Sequence, residues 1–81
     1  MVENEELKRV YGEFTAVWRF YKKYSNVQSD DSYWEGVVDE SGQIAKQFEN
    51  DRLCRDLLLA ALSELERKEK ELRARREEKS A

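Results

Sequence analysis

Apolar residues recur through the first quarter of the chain at Leu7, Val10, Tyr11, Phe14, Val17, Trp18 and Tyr21. Steps of three and four place all seven on one side of a helix turning 100° per residue, so the pattern predicts an amphipathic helix from about Asn4 to Tyr24. Glu5 and Glu6 at its start and Lys22 and Lys23 near its end complement the helix dipole. From Ser25 to Asp31 the period is lost, and a loop is expected there.

A second helix is signalled by Ser32 with Glu35 three residues on, the spacing of a capping box in which hydroxyl and carboxylate satisfy each other's backbone amides. Its expected inward face is Trp34, Val37, Val38, Ser41, Ile44, Ala45 and Phe48, with the Ser41 hydroxyl bonding back to the preceding turn. Asn50 and Asp51 stop this helix and cap a third, and so short a joint makes the two antiparallel. The third carries Cys54, Leu57, Leu58, Ala61, Leu65 and Leu72 inward, while Leu59 and Leu62 fall off that stripe. Beyond Leu65 charges dominate, with Glu66/Lys70, Glu69/Arg73 and Glu71/Arg75 spaced i to i+4. The expectation is all-α: a three-helix bundle over residues 1–66, followed by a charged helical tail, 67–81, that overhangs the core and is dispensable for folding.

Composition agrees with this class. Pro is absent and only three Gly occur in 81 residues, which leaves little of the punctuation that strands and hairpins need. Charged residues make up 41% and hydrophobic residues 40%, enough for one core under an ionised surface. The acidic excess behind the net charge of -3 lies in residues 26–63, so no sustained positive field marks a nucleic-acid binder. The longest apolar run, Leu57 to Leu62, is far short of the roughly 20 residues that cross a bilayer. The N-terminus has no basic and then apolar leader. These features predict a cytoplasmic protein without a membrane segment.

Candidate chemistry is sparse. The chain has no His, and its single Cys54 can form neither an internal disulfide nor a thiolate zinc cage, so no metal, cofactor or catalytic group is expected. Cys54 reads as a small core residue. The run Trp18-Arg19-Phe20-Tyr21-Lys22-Lys23-Tyr24 mixes aromatic and basic groups, as surfaces that stack nucleobases do. With Trp18 and Tyr21 assigned to the core stripe, Phe20 and Tyr24 remain as an aromatic shoulder that fits a protein contact better. Glu35, Asp39, Glu40 and Asp56 offer carboxylates that could in principle gather around Mg²⁺, against the simpler reading of a solvated acidic face.

Two resemblances bear on function. Asp39-Glu40-Ser41-Gly42-Gln43-Ile44-Ala45 followed by Arg55-Asp56-Leu57-Leu58 resembles the helix pair of the MazG-like all-α nucleotide pyrophosphohydrolases. That resemblance implies ExxE on one helix and ExxD on the next. Glu40 and Asp56 match, whereas Gln43 and Leu53 stand where the other two carboxylates belong, and half the implied metal set is gone. The stretch from Val10 to Arg67, through Trp18 to Tyr24, Tyr33-Trp34-Glu35 and Arg55 to Ala60, resembles small uncharacterised proteins of Firmicutes, some carried with mobile elements. It implies a compact helical domain and no residue roles.

The function expected from the sequence is a non-enzymatic protein interaction or assembly module. Its candidate contact residues are Phe20, Tyr24, Leu59 and Leu62, and its partner is a second copy or another protein. The alternative is a nucleic-acid accessory protein using Arg19, Lys22, Lys23 and the Arg73–Lys79 end. A degenerate pyrophosphohydrolase ranks third.

Overall fold

The computed structural model describes residues 4–80, with side chains as far as Arg76. Helices α1 (Asn4–Tyr24), α2 (Asp31–Gln47) and α3 (Arg52–Ser80) each pack against the other two, giving the expected all-α three-helix bundle. Its extents of 58 × 24 × 17 Å describe a slender bundle with room for one layer of core side chains. That core comprises Val17, Phe20, Val27, Val37, Cys54, Leu58, Ala61 and Leu65. Each large side chain fully buried there contributes about 1.5–3 kcal/mol. The inward stripe of α3 is the one expected from its spacing: Cys54, Leu58, Ala61 and Leu65 are buried, and Leu57 and Leu72 pack against the core.

The start of α2 differs from the expectation. Asp30 is the N-cap, its carboxylate accepting the backbone N–H of Tyr33 and the hydroxyl of Ser32, so Ser32 lies inside the first turn. A carboxylate cap also meets the positive end of the dipole, which a hydroxyl cannot do with charge. The Ser41 hydroxyl does bond back, to the carbonyl of Val38 at 2.8 Å.

Between α2 and α3 the chain turns through Glu49 and Asn50, both left-handed at φ 56° and 58°. Asn50 donates its N–H to the Ala45 carbonyl at 2.7 Å, closing the helix end, and Asp51 leads into α3 by accepting the Arg55 N–H at 3.0 Å. Asn tolerates this backbone region; Glu enters it at a cost of about 1–2 kcal/mol.

Close approach of α1 and α2 depends on Gly36, where a Cβ would stand 3.1 Å from the Tyr24 hydroxyl. Tyr33 donates its own hydroxyl to the Tyr24 carbonyl at 2.5 Å, and Lys23 is ion-paired with Glu40. These contacts tie the end of α1 to α2 and draw the loop over the core, where Val27 is buried.

The segment set apart as a tail is continuous with the bundle. α3 runs unbroken through Arg67, Lys68 and Glu69 are half-buried, and Leu72 packs against the core. Loop residues Ser25 to Val27 line a cleft with Lys68 and Leu72. Packing therefore passes the expected boundary at residue 66, because the 25–30 loop provides a partner that periodicity alone could not supply. Met1 to Glu3 lie outside the described residues.

Candidate interaction surface

The largest departure from the expected packing is the rotation of α1. Val17 and Phe20 are buried together with Glu13, whereas Leu7, Tyr11, Phe14 and Trp18 are 53%, 73%, 51% and 58% exposed. Four of the seven stripe residues are thus corrected from core to surface. At 100° per residue the exposed four span an arc of about 60°, centred about 120° from the buried side. α1 settles with Phe20 inward, and beside it Gly12 faces the Phe48 ring, which a Cβ would meet at an ordinary contact distance of 3.5 Å.

Steps of four, three and four along Leu7, Tyr11, Phe14 and Trp18 make this seam the a/d pattern of a coiled coil with no helix opposite it. Lys8, Arg19 and Lys22 line its outer edge, all exposed, and none of them is ion-paired among the described residues. On the inner edge Trp18 stacks on Tyr21 with ring centroids 6.4 Å apart, and the Lys68 ammonium sits 5.3 Å from the Tyr21 ring centroid. The result is an aromatic strip in a basic frame. Amphipathic aromatic groups and Arg are enriched where proteins meet.

On the buried side of α1 lies Glu13, fully buried, with no donor to either carboxylate oxygen. Burial raises its pKa first, the nearby Asp51 carboxylate raises it further, and Arg9 opposes the shift. The Cys54 thiol is also pushed up, by burial first and then by Glu13 and Asp51, which keeps it protonated and unreactive.

A second surface runs along the outer face of α2. Val38 is 65% exposed beside half-buried Trp34, and Asp31, Glu35 and Asp39 border an open groove of about 490 Å³ there. The Trp34 indole N–H is buried without an acceptor. One turn on, where α2 meets α3, Gly42, Ala45 and exposed Leu59 continue the strip with Arg55 beside them, and nothing lies within 4 Å of where a Gly42 Cβ would stand.

The expected contact residues separate accordingly. Leu59 is 60% exposed, as its position off the stripe suggested. Leu62 and Tyr24 are half-buried against the core, and Phe20, at 3% exposure, belongs to the core itself and is closed to a partner. The carboxylates of the pyrophosphohydrolase resemblance are engaged separately: Glu40 pairs with Lys23, and exposed Asp56 faces Arg52 at 3.9 Å. Gln43 donates to Asp39 at 2.8 Å. Among the described residues no three His, Cys, Asp or Glu side chains are grouped to hold a metal ion. On the α3 end, Arg73 pairs with Glu69, and Lys79 lies outside the described side chains. No described helix is long and apolar enough to cross a membrane.

Sequence reasoning missed both Glu13 and the exposure of the seam. The one available signal was that Leu7, Tyr11, Phe14 and Trp18 form a heptad register distinct from Val10, Val17 and Phe20. Comparison with protein-family models, curated proteins and solved structures finds no match.

Proposed function

We propose that this protein is a non-enzymatic interaction module that binds other proteins through the α1 seam. The observation that carries the reading is a run of four large apolar side chains, each more than half exposed, on a helix whose other side buries Glu13, Val17 and Phe20. Contiguous apolar surface rimmed by charge costs solubility unless something covers it. A cytoplasmic setting belongs to the same reading, since the one cysteine is buried with no disulfide partner. The test is capture from native lysate by the wild type, by Phe14→Glu/Trp18→Glu and by Gln43→Glu as a surface control. Proteins retained by the wild type and the control but lost by the double variant support the reading. Equal capture by all three refutes it.

A second reading has its own observation: Trp18, exposed with Lys22 and Arg19 to one side of it, can stack on a base while the cations meet phosphates. Such a nucleic-acid accessory role predicts affinity for single-stranded DNA that falls steeply with salt and is lost in Trp18→Ala. Affinity unchanged by either removes this reading.

A further inference from the structure

The two exposed apolar surfaces complement each other. The α1 seam is aromatic and framed by Lys8, Arg19, Lys22 and Lys68, while the shallow groove on the outer face of α2 is lined by Trp34 and Val38 and framed by Asp31, Glu35 and Asp39. The acidic row has i, i+4, i+8 spacing and extends about 12 Å along α2, and the four seam residues extend about 16 Å along α1. A helix lying in the groove would therefore meet carboxylates along most of its length. Open space above Gly42 leaves room for such a helix to approach the α2 backbone.

The surfaces cannot reach each other within one chain. The seam reaches α3 through Tyr21 and Lys68, and the strip that continues the groove reaches it beside Leu59. Nine residues separate Leu59 from Lys68, about 180° round the helix, so the two surfaces flank α3 on opposite sides. Complementary patches facing away from each other are the arrangement that joins identical copies heterologously.

We infer that copies of this chain associate head to tail, the α1 seam of one seated against the acidic outer face of α2 in the next. This rests on the seam being a protein-binding surface and names its occupant as a second copy. Each added copy exposes a fresh seam at one end and a fresh groove at the other, so assembly grows with concentration and stops where either face is blocked. Four seam residues make a small contact, which suits a weak, reversible assembly. Its charged frame is exposed, so salt weakens it.

Sedimentation of the full chain tests the inference, with circular dichroism confirming that each variant keeps its helicity. The wild type should form a concentration-dependent series beyond a dimer. Phe14→Glu/Trp18→Glu blocks the seam and Glu35→Lys/Val38→Lys blocks the groove, and each should weaken association at least tenfold. Mixed together, the two variants should form a 1:1 dimer that grows no further, because each retains the face the other lacks. Arg19→Glu/Lys22→Glu should likewise weaken the wild-type series and be partly restored by mixing with Glu35→Lys. A mixture that stays monomeric overturns the inference. So does a groove variant that still dimerises by itself, which would mean that seams pair with seams. A wild type that remains monomeric at high micromolar concentration, while the seam variant loses its captured proteins, defeats self-assembly and leaves the interaction module standing.

Discussion

The two sides of α1 carry similar apolar residues and have opposite fates. Val17 and Phe20 are sealed in the core together with a carboxylic acid, whereas Tyr11 and Trp18, larger and equally periodic, face outward. An apolar stripe states how much surface a helix would bury and leaves open which part the bundle will reach. With α2 and α3 both packed on one side, the remaining arc of α1 has no intramolecular cover. Burial on one side supplies stability, and exposure on the other supplies a surface for binding.

The sharpest way to break this contrast is to truncate one residue on each side. Phe20→Ala should cost about 3–5 kcal/mol, enough to abolish or nearly abolish the cooperative melt of so small a domain, while Trp18→Ala should change stability by less than about 1 kcal/mol. Iodide should quench Trp18 readily and Trp34 only in part. Equal losses from the two substitutions, or an indole at position 18 shielded from iodide, would restore Trp18 to the core.

A second comparison sets the two ends of α3 side by side. Stopping the chain after Arg67 removes Lys68 and Leu72, the cover for Val27 and Tyr21, and should cost about 2 kcal/mol, whereas stopping after Arg76 should leave the melting curve in place. If the shorter chain melts like the full one, the packing around Leu72 contributes nothing.

Glu13 tests the buried side more finely. Its raised pKa means that the folded chain holds a proton the unfolded chain has released, so its contribution makes stability fall as pH rises from the ordinary glutamate range through the raised value. Asp51 and Cys54 face it and Arg9 moderates it. Glu13→Gln should raise stability at neutral pH by about 1–2 kcal/mol and flatten that part of the pH profile, as read by urea unfolding from pH 4 to 8. A variant less stable than the wild type at pH 7 would show that the carboxylate is needed in its charged form. The smallest effect is expected at the joint: Glu49→Gly should stabilise by about 0.5–1 kcal/mol by relieving the left-handed backbone at φ 56°.

Sequence alone determined where the helices lie. The limits of α1 from Asn4 to Tyr24, the restart of the chain into α3 after Asp51, and the inward stripe of α3 all follow from local periodicity and capping, which need no knowledge of the rest of the chain, whereas α2 stops at Gln47, ahead of the expected Asn50. The capping residue of α2 was legible only to within two positions, because Asp30 and Ser32 can each cap a helix starting just after it and the loop geometry chooses between them. Tertiary structure alone decided the rotation of α1, the burial of Glu13 and the docking of the 25–30 loop against Leu72. The reason is physical. The apolar arc of α1 is about 180° wide, more than two neighbouring helices can cover, so periodicity admits several rotations. The choice among them rests on the approach of Tyr24 to Gly36 and on the fit of Phe20 into the core, contacts between residues far apart in the chain that no local pattern encodes.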